Sequence, residues 1–113
     1  MKRHLPMRYF HRAVEAGGVL HLAGMTADDR SEGMYGQTRQ VLAKVEALLS
    51  ELGSDKSKVV MATAYITDMD AKDEMNAAWL EFFPAEQLPA RATIGVASLG
   101  EGILIEVVCQ AAP

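Results

Sequence analysis

The sequence predicts an α+β fold in which two helices lie on one face of a single mixed sheet. Two segments carry apolar residues at helical spacing, one stripe each, so each helix has one face to bury. Around them lie β-branched, apolar runs of strand length. The segments follow in the order β-β-α-β-α-β-β, with no internal repeat, low-complexity stretch or linker. At 113 residues, positions 1–113 read as one domain.

Tyr9–Val14 and Val19–Ala23 flank Glu15-Ala16-Gly17-Gly18, and Gly-Gly is a favoured two-residue hairpin turn. Met25–Gly36 is polar and interrupted by Gly33 and Gly36, which predicts a crossing loop. Thr38, Val41, Leu42, Val45, Leu48, Leu49 and Leu52 then form one wide helical stripe. Gly53 stands where a left-handed residue ends helices. Val59–Ile66 is apolar on both faces, as a central strand is. Asp70 is the expected N-cap of the second helix, with Asp73 in its first turn. Its stripe is Met75, Ala78, Trp79, Phe82 and Phe83, and Pro84 stops it.

The stretch Leu88–Gln110, LPARATIGVASLGEGILIEVVCQ, reads as two strands joined by the short connection LGEG. Alternation puts Arg91, Thr93 and Gly95 on one face of the first strand. In the second, Leu104, Glu106 and Val108 share one face, and Ile103, Ile105, Val107 and Cys109 the other. A lone carboxylate between Leu104 and Val108 is unusual, because charged groups are rarely buried unless paired. Two helices cover one sheet face, yet Val59–Ile66 is apolar on both. The second face is therefore expected to be buried against another copy of the chain, with Glu106 near a subunit boundary.

Eleven Lys and Arg against fifteen Asp and Glu give a net charge of −4, and the basic residues are scattered, which argues against nucleic-acid binding. No run approaches the length of a membrane span. Met1-Lys2-Arg3-His4 is basic, but no apolar run follows it as in a signal peptide. A single cysteine, Cys109, forms no internal disulfide and fits a reducing cytoplasm, where it is expected to pack in the core. His4, His11 and His21 are not at ligand spacing, so no metal site is expected. Trp79, Phe82, Phe83 and Tyr65 read as core aromatics.

LPARATIGVASLGEGILIEVV resembles the C-terminal signature of the RidA/YjgF family: a Pro-Ala-Arg or Pro-Ser-Arg tripeptide, a Val-x-Val-Ala-x-Leu run, and a strand ending in Ile-Glu-ϕ-x-Ala. Met75-Asn76-Ala77-Ala78-Trp79-Leu80-Glu81-Phe82-Phe83 resembles the family's Asn-x-x-(aromatic)-x-x-Phe-Phe helix, and Ala64-Tyr65-Ile66-Thr67-Asp68-Met69 its strand and turn. Leu22-Ala23-Gly24 matches the family's (Thr/Ser)-Ser-Gly stretch in position. Fifteen positions separate Arg91 from Glu106, as in the family pattern. The resemblance runs from about Tyr9 to Ala111.

The resemblance implies a chorismate-mutase-like fold, assembled as a homotrimer with clefts between subunits. It also implies hydrolysis of reactive 2-imino or enamine acids to 2-keto acids and ammonia, with no cofactor or metal. In this picture Arg91 holds the substrate carboxylate through two parallel charge-assisted hydrogen bonds, and Glu106 orients and deprotonates the attacking water. Thr93 contributes backbone groups, and Asn76, Tyr9 and Ala23 line the cleft, Tyr9 one residue off the usual spacing. Ala23 stands where the deaminases usually carry serine, Thr93 where cysteine is frequent, Gly95 in place of a glutamate and Gly100 in place of a proline. The lost serine keeps open an alternative, a trimer that binds carboxylate ligands without turnover. The acidic charge argues against the ribonuclease or translation-inhibitor role sometimes attached to the family.

Overall fold

The computed structural model describes residues 1–113. It contains strands β1 (Lys2–Pro6), β2 (His11–Ala16) and β3 (Val19–Leu22), helix α1 (Met34–Glu51), strand β4 (Val59–Ile66), helix α2 (Lys72–Phe82), and strands β5 (Ala90–Gly95) and β6 (Ile105–Ala111). All six strands form one mixed sheet in the order β1-β2-β3-β6-β4-β5. β4 pairs with β5 in parallel and with β6 antiparallel. Both helices pack on the same sheet face, as the two single stripes predict.

The register shows how that face is built. Ala64 lies opposite Val107, Ile66 opposite Ile105, and Ala62 opposite Cys109, and all six are buried. Small residues, including Ala13, Ala62, Ala64 and Ala111, let the helices approach the sheet closely. Onto this floor α1 lowers Val41, Leu42, Val45, Leu48 and Leu49, and α2 lowers Met75 and Trp79. Full burial of each leucine contributes about 2 kcal/mol. The opposite face carries Val14, Met61, Thr63, Tyr65, Glu106 and Val108, all only half-buried. No part of the chain covers it.

Several elements differ from the sequence expectation. β1 is a sixth strand, an edge paired with β2 from Lys2↔Glu15 to Pro6↔His11. Its Lys, Arg and Pro are the devices that blunt sheet edges, so it lacks the apolar alternation of an interior strand. The β2–β3 hairpin turns on Gly17 and Gly18, with φ of +58° and +76°, the conformation a two-residue turn demands. β2, however, starts at His11, because Tyr9 belongs to the preceding turn, closed by the Met7 N–H donating to the Phe10 carbonyl at 2.7 Å.

α1 begins at Met34, inside the stretch expected to be loop. Burial of Met34, Gln37 and Thr38 outweighs the helix penalty of Gly36, about 1 kcal/mol. The cap before α2 is Asp68, not Asp70: its carboxylate accepts the Asp70 N–H at 2.9 Å, opening a short 3-10 turn that runs into the helix. β5 and β6 do not form a hairpin. They flank β4 on its two sides, joined by the longer connection 96–104, and β6 begins only at Ile105.

Gln37 fixes that connection. Its side chain is fully buried, donates to the Glu32 carbonyl at 3.0 Å and the Gly102 carbonyl at 2.9 Å, and accepts the Leu104 N–H at 3.0 Å. One amide thus ties the loop before α1 to the loop before β6. Cys109 lies under the helices, and burial pushes its thiol up to about 12. Iodoacetamide at pH 8 is expected to leave the native protein unlabelled and to alkylate it in urea, as mass spectrometry would read. No helix is long and apolar enough to cross a membrane.

Candidate functional site

Arg91 sits near the start of the edge strand β5, opposite Ala62 of β4. Ala62 is fully buried beneath the helices, so Arg91 also rises on the helix face. There its guanidinium carbon lies 5.0 Å from the centroid of the Trp79 ring. Stacking contributes about 1 kcal/mol and holds the guanidinium plane, leaving its N–H fork free. Arg91 takes part in neither of the chain's two lysine–carboxylate ion pairs, which join Lys44 to Asp28 and Lys56 to Glu46. Burial lowers its pKa from the ordinary arginine value, but a guanidinium remains charged in proteins.

Arg91, Asn76, Trp79, Leu80, Leu88 and Pro89 line an open groove of ≈ 360 Å³. Two residues the sequence places in one site, Arg91 and Asn76, are thus together. Thr93 follows on the same face, opposite Ala64, but its side chain does not line the groove. Trp79 has a second task besides packing, the Arg91 stack, and its helical stripe gave no sign of it.

Glu106 projects on the other side of the sheet, because it lies opposite Tyr65. Its carboxylate packs against Gly24. A Cβ built on Gly24 would stand 2.5 Å from Glu106 Oε2 and 3.0 Å from its Cδ. The segment holding Gly24 is fixed alongside β6, since Met25 and Val107 exchange two backbone hydrogen bonds of 3.0 Å. Ala23 donates its N–H to the Arg12 carbonyl at 2.9 Å. Glycine is therefore required at 24 by the close approach, and the Glu106 carboxylate is aimed along that backbone. Gly24→Ala is expected to displace the carboxylate, the flexible partner, with the unfolding midpoint nearly unchanged. A midpoint lowered by more than about 5 °C would show that the carboxylate cannot move aside.

Ala23 and Gly24 also border a second groove of ≈ 300 Å³, whose aromatic wall is Phe10. Tyr9, the aromatic chosen from the sequence, is 80% exposed, with Arg8 5.1 Å over its ring. The one-residue offset in spacing at Tyr9 was the signal for Phe10. The chain thus carries two separate constellations, Arg91 with Asn76 and Glu106 with Ala23 and Gly24. From the register, the Arg91 and Glu106 backbones lie roughly 10 Å apart along the sheet and roughly 10 Å across it, with side chains on opposite faces. Within one chain they do not meet.

Comparison with known proteins places the chain in a family and its fold among solved structures. The sequence profile of the family described as Endoribonuclease L-PSP matches residues 2–113. The chain belongs to the YjgF/RidA family. A RutC family protein of Haemophilus ducreyi is 36% identical over 95 residues, covering 84% of this chain and 81% of that protein. Another, from Pyrococcus horikoshii, is 33% identical over 108 residues, 90% of this chain and 85% of that one. Among solved structures, a YjgF family member from Neisseria meningitidis superposes with a TM-score of 0.92 at 32% identity, covering 98% of this chain and 92% of that one. The six-stranded mixed sheet with its two helices is the YjgF, chorismate-mutase-like fold.

Proposed function

We propose that this protein is a homotrimeric, single-domain 2-imino acid deaminase whose sites combine Arg91 of one subunit with Glu106 of the next. The observation that carries the proposal is the pair of charges in each chain, neither with a partner and each half-buried. Arg91 lies unpaired over Trp79 on one face, and Glu106 is pressed against Gly24 on the other. Half-burial of an unpaired charge is unfavourable, and a subunit boundary that joins the two relieves it. The uncovered sheet face with Met61, Thr63, Tyr65 and Val108 is the surface such an assembly would bury. Membership of the YjgF/RidA family, many of whose members are imine deaminases, supports the same reading.

The chemistry follows from the two groups. A 2-imino acid has a carboxylate at C1 and a protonated imine at C2. The Arg91 fork binds the carboxylate with two parallel hydrogen bonds, and Asn76 lies beside it in the groove. Glu106 takes a proton from water as the oxygen attacks C2, which gives a carbinolamine. Glu106 returns the proton to the amine nitrogen, then takes the hydroxyl proton as the C=O bond forms and the C–N bond breaks. Ammonia leaves, the 2-oxo acid remains, and Glu106 passes its proton to the departing ammonia as ammonium. The protonated imine is already a strong electrophile, so positioning supplies most of the acceleration. This route uses no metal and no organic cofactor. It takes a small molecule and other copies of the chain as partners, with no nucleic acid or membrane.

Ala23 favours a second reading, a trimer that binds carboxylate ligands without turnover, because it brings no hydroxyl to the Glu106 side. The test is competition with semicarbazide for imines released by an amino-acid oxidase. Wild-type protein is expected to lower semicarbazone formation while Arg91→Ala leaves it unchanged. No effect of wild type on any imine sinks the deaminase reading and leaves the binding one.

A further inference from the structure

We infer that the Arg91 groove selects 2-imino and 2-oxo acids with branched or aromatic apolar side chains, and that Leu80 and Leu88 determine this preference. The inference rests on the assignment of Arg91 as carboxylate anchor made above, and goes beyond it by naming what occupies the rest of the groove.

Within the single chain Leu80 is 64% and Leu88 43% exposed, two large aliphatic side chains beside a cation that has no partner in its own subunit. With Trp79 and Pro89 they make the greater part of the groove wall apolar. Each is fixed by its element. Leu80 follows Trp79 on α2 and points off the buried stripe, and Leu88 precedes Pro89 at the entry to β5. A carboxylate seated in the Arg91 fork leaves the substituent on C2 to run along this wall. A methyl substituent would leave most of the ≈ 360 Å³ as water against leucine. An isobutyl or benzyl substituent would displace that water and cover the exposed carbons.

The charge distribution argues against dicarboxylates. Within one chain Arg91 is the one charged residue lining the groove, and Asn76 the one neutral polar side chain. A second carboxylate on the ligand has no second cation in the groove to meet, and would approach the Glu106 that the next subunit supplies. One methylene in an apolar pocket is worth about tenfold in selectivity, so the preference for isobutyl over methyl is expected to be at least about tenfold.

Stable 2-oxo acids test this without depending on catalysis. Calorimetric titration of the wild-type assembly would compare pyruvate, 4-methyl-2-oxopentanoate, phenylpyruvate and 2-oxoglutarate. The branched and aromatic acids are expected to bind at least about tenfold tighter than pyruvate, with 2-oxoglutarate no tighter than pyruvate. In the double variant Leu80→Ser, Leu88→Ser, both exposed positions, the gap is expected to close to about twofold while pyruvate binding is retained. Equal binding of pyruvate and 4-methyl-2-oxopentanoate, an unchanged gap in the variant, or no binding of any acid overturns the inference. Imine turnover is read in parallel on the same samples. Apolar preference without turnover supports the inference and sinks the deaminase reading. Turnover with no apolar preference does the reverse.

Discussion

Trimers assembled from a mixture of Arg91→Ala and Glu106→Gln chains are expected to recover an activity that neither variant has alone. Each variant by itself loses one required group at every site, and each is expected to fall at least about a hundredfold in imine hydrolysis. In a mixed ring, a boundary with Arg91 from the Glu106→Gln chain and Glu106 from the Arg91→Ala chain has both native groups. Random mixing of equal amounts yields such a boundary about one time in four, so about a quarter of wild-type activity returns. The reason lies in the register. Arg91 opposite the buried Ala62, and Glu106 opposite the half-exposed Tyr65, put the two side chains on opposite faces of one sheet. A site formed within a single chain could not be rebuilt by mixing. Co-refolding at several ratios, with the semicarbazone assay as readout, decides between the two arrangements, and a mixture no more active than its components refutes the shared site.

Gln37→Leu is expected to be among the most destabilising single substitutions in the chain. Leucine is similar in volume and keeps the helix, so packing is nearly preserved. The hydrogen bonds are not. The Leu104 N–H and the Glu32 and Gly102 carbonyls all lose their partner, on the inner side of a part-buried junction. At about 1 kcal/mol or more for each group left unpaired, the loss is about 3 kcal/mol, which lowers the unfolding midpoint by roughly 10 °C for a domain of this size. Gln37→Glu is expected to be no better, since a carboxylate still accepts from Leu104 but repels the two carbonyls. Thermal unfolding of the three proteins tests this, and a shift of only a degree or two for Gln37→Leu would show that the two loops hold themselves.

The helices and the interior strands were legible because each buries one stripe or a continuous apolar run. Val41, Leu42, Val45, Leu48 and Leu49 stand at i, i+3, i+4 spacing, and all are buried. The β1 edge was not legible, because charged residues and proline at an edge look like an ordinary polar start. The pairing of β5 and β6 on either side of β4 was equally hidden. Period-2 alternation tells which residues share a face of a strand, but not which neighbour the strand takes. For that reason Arg91 and Glu106 could be chosen from the sequence, while their placement on opposite faces could not. Phe10 and Gly24 lie next to residues that were chosen, Tyr9 and Ala23. A one-residue offset moved the aromatic from the groove to solvent, and the need for glycine at 24 comes from a side chain more than eighty positions away. Leu80 and Leu88 were passed over because an exposed leucine carries no pattern until a cation is found beside it.

The position of β6 in the sheet has a consequence for how the chain acquires its structure. β6 is the only strand bonded both to the N-terminal meander, through β3, and to the β4–β5 pair. Leu20 and Val59 both take Ala111 as their partner, so the N-terminal meander and the middle of the chain are stitched by a segment made after everything it joins. On a ribosome the meander and the β4–β5 pair can each gather locally, but no continuous sheet exists until residues 105–111 emerge. Closing such long separations is slow compared with local helix formation. A chain cut before β6 loses no edge. It loses the seam, and is left with two sheet fragments and no shared core.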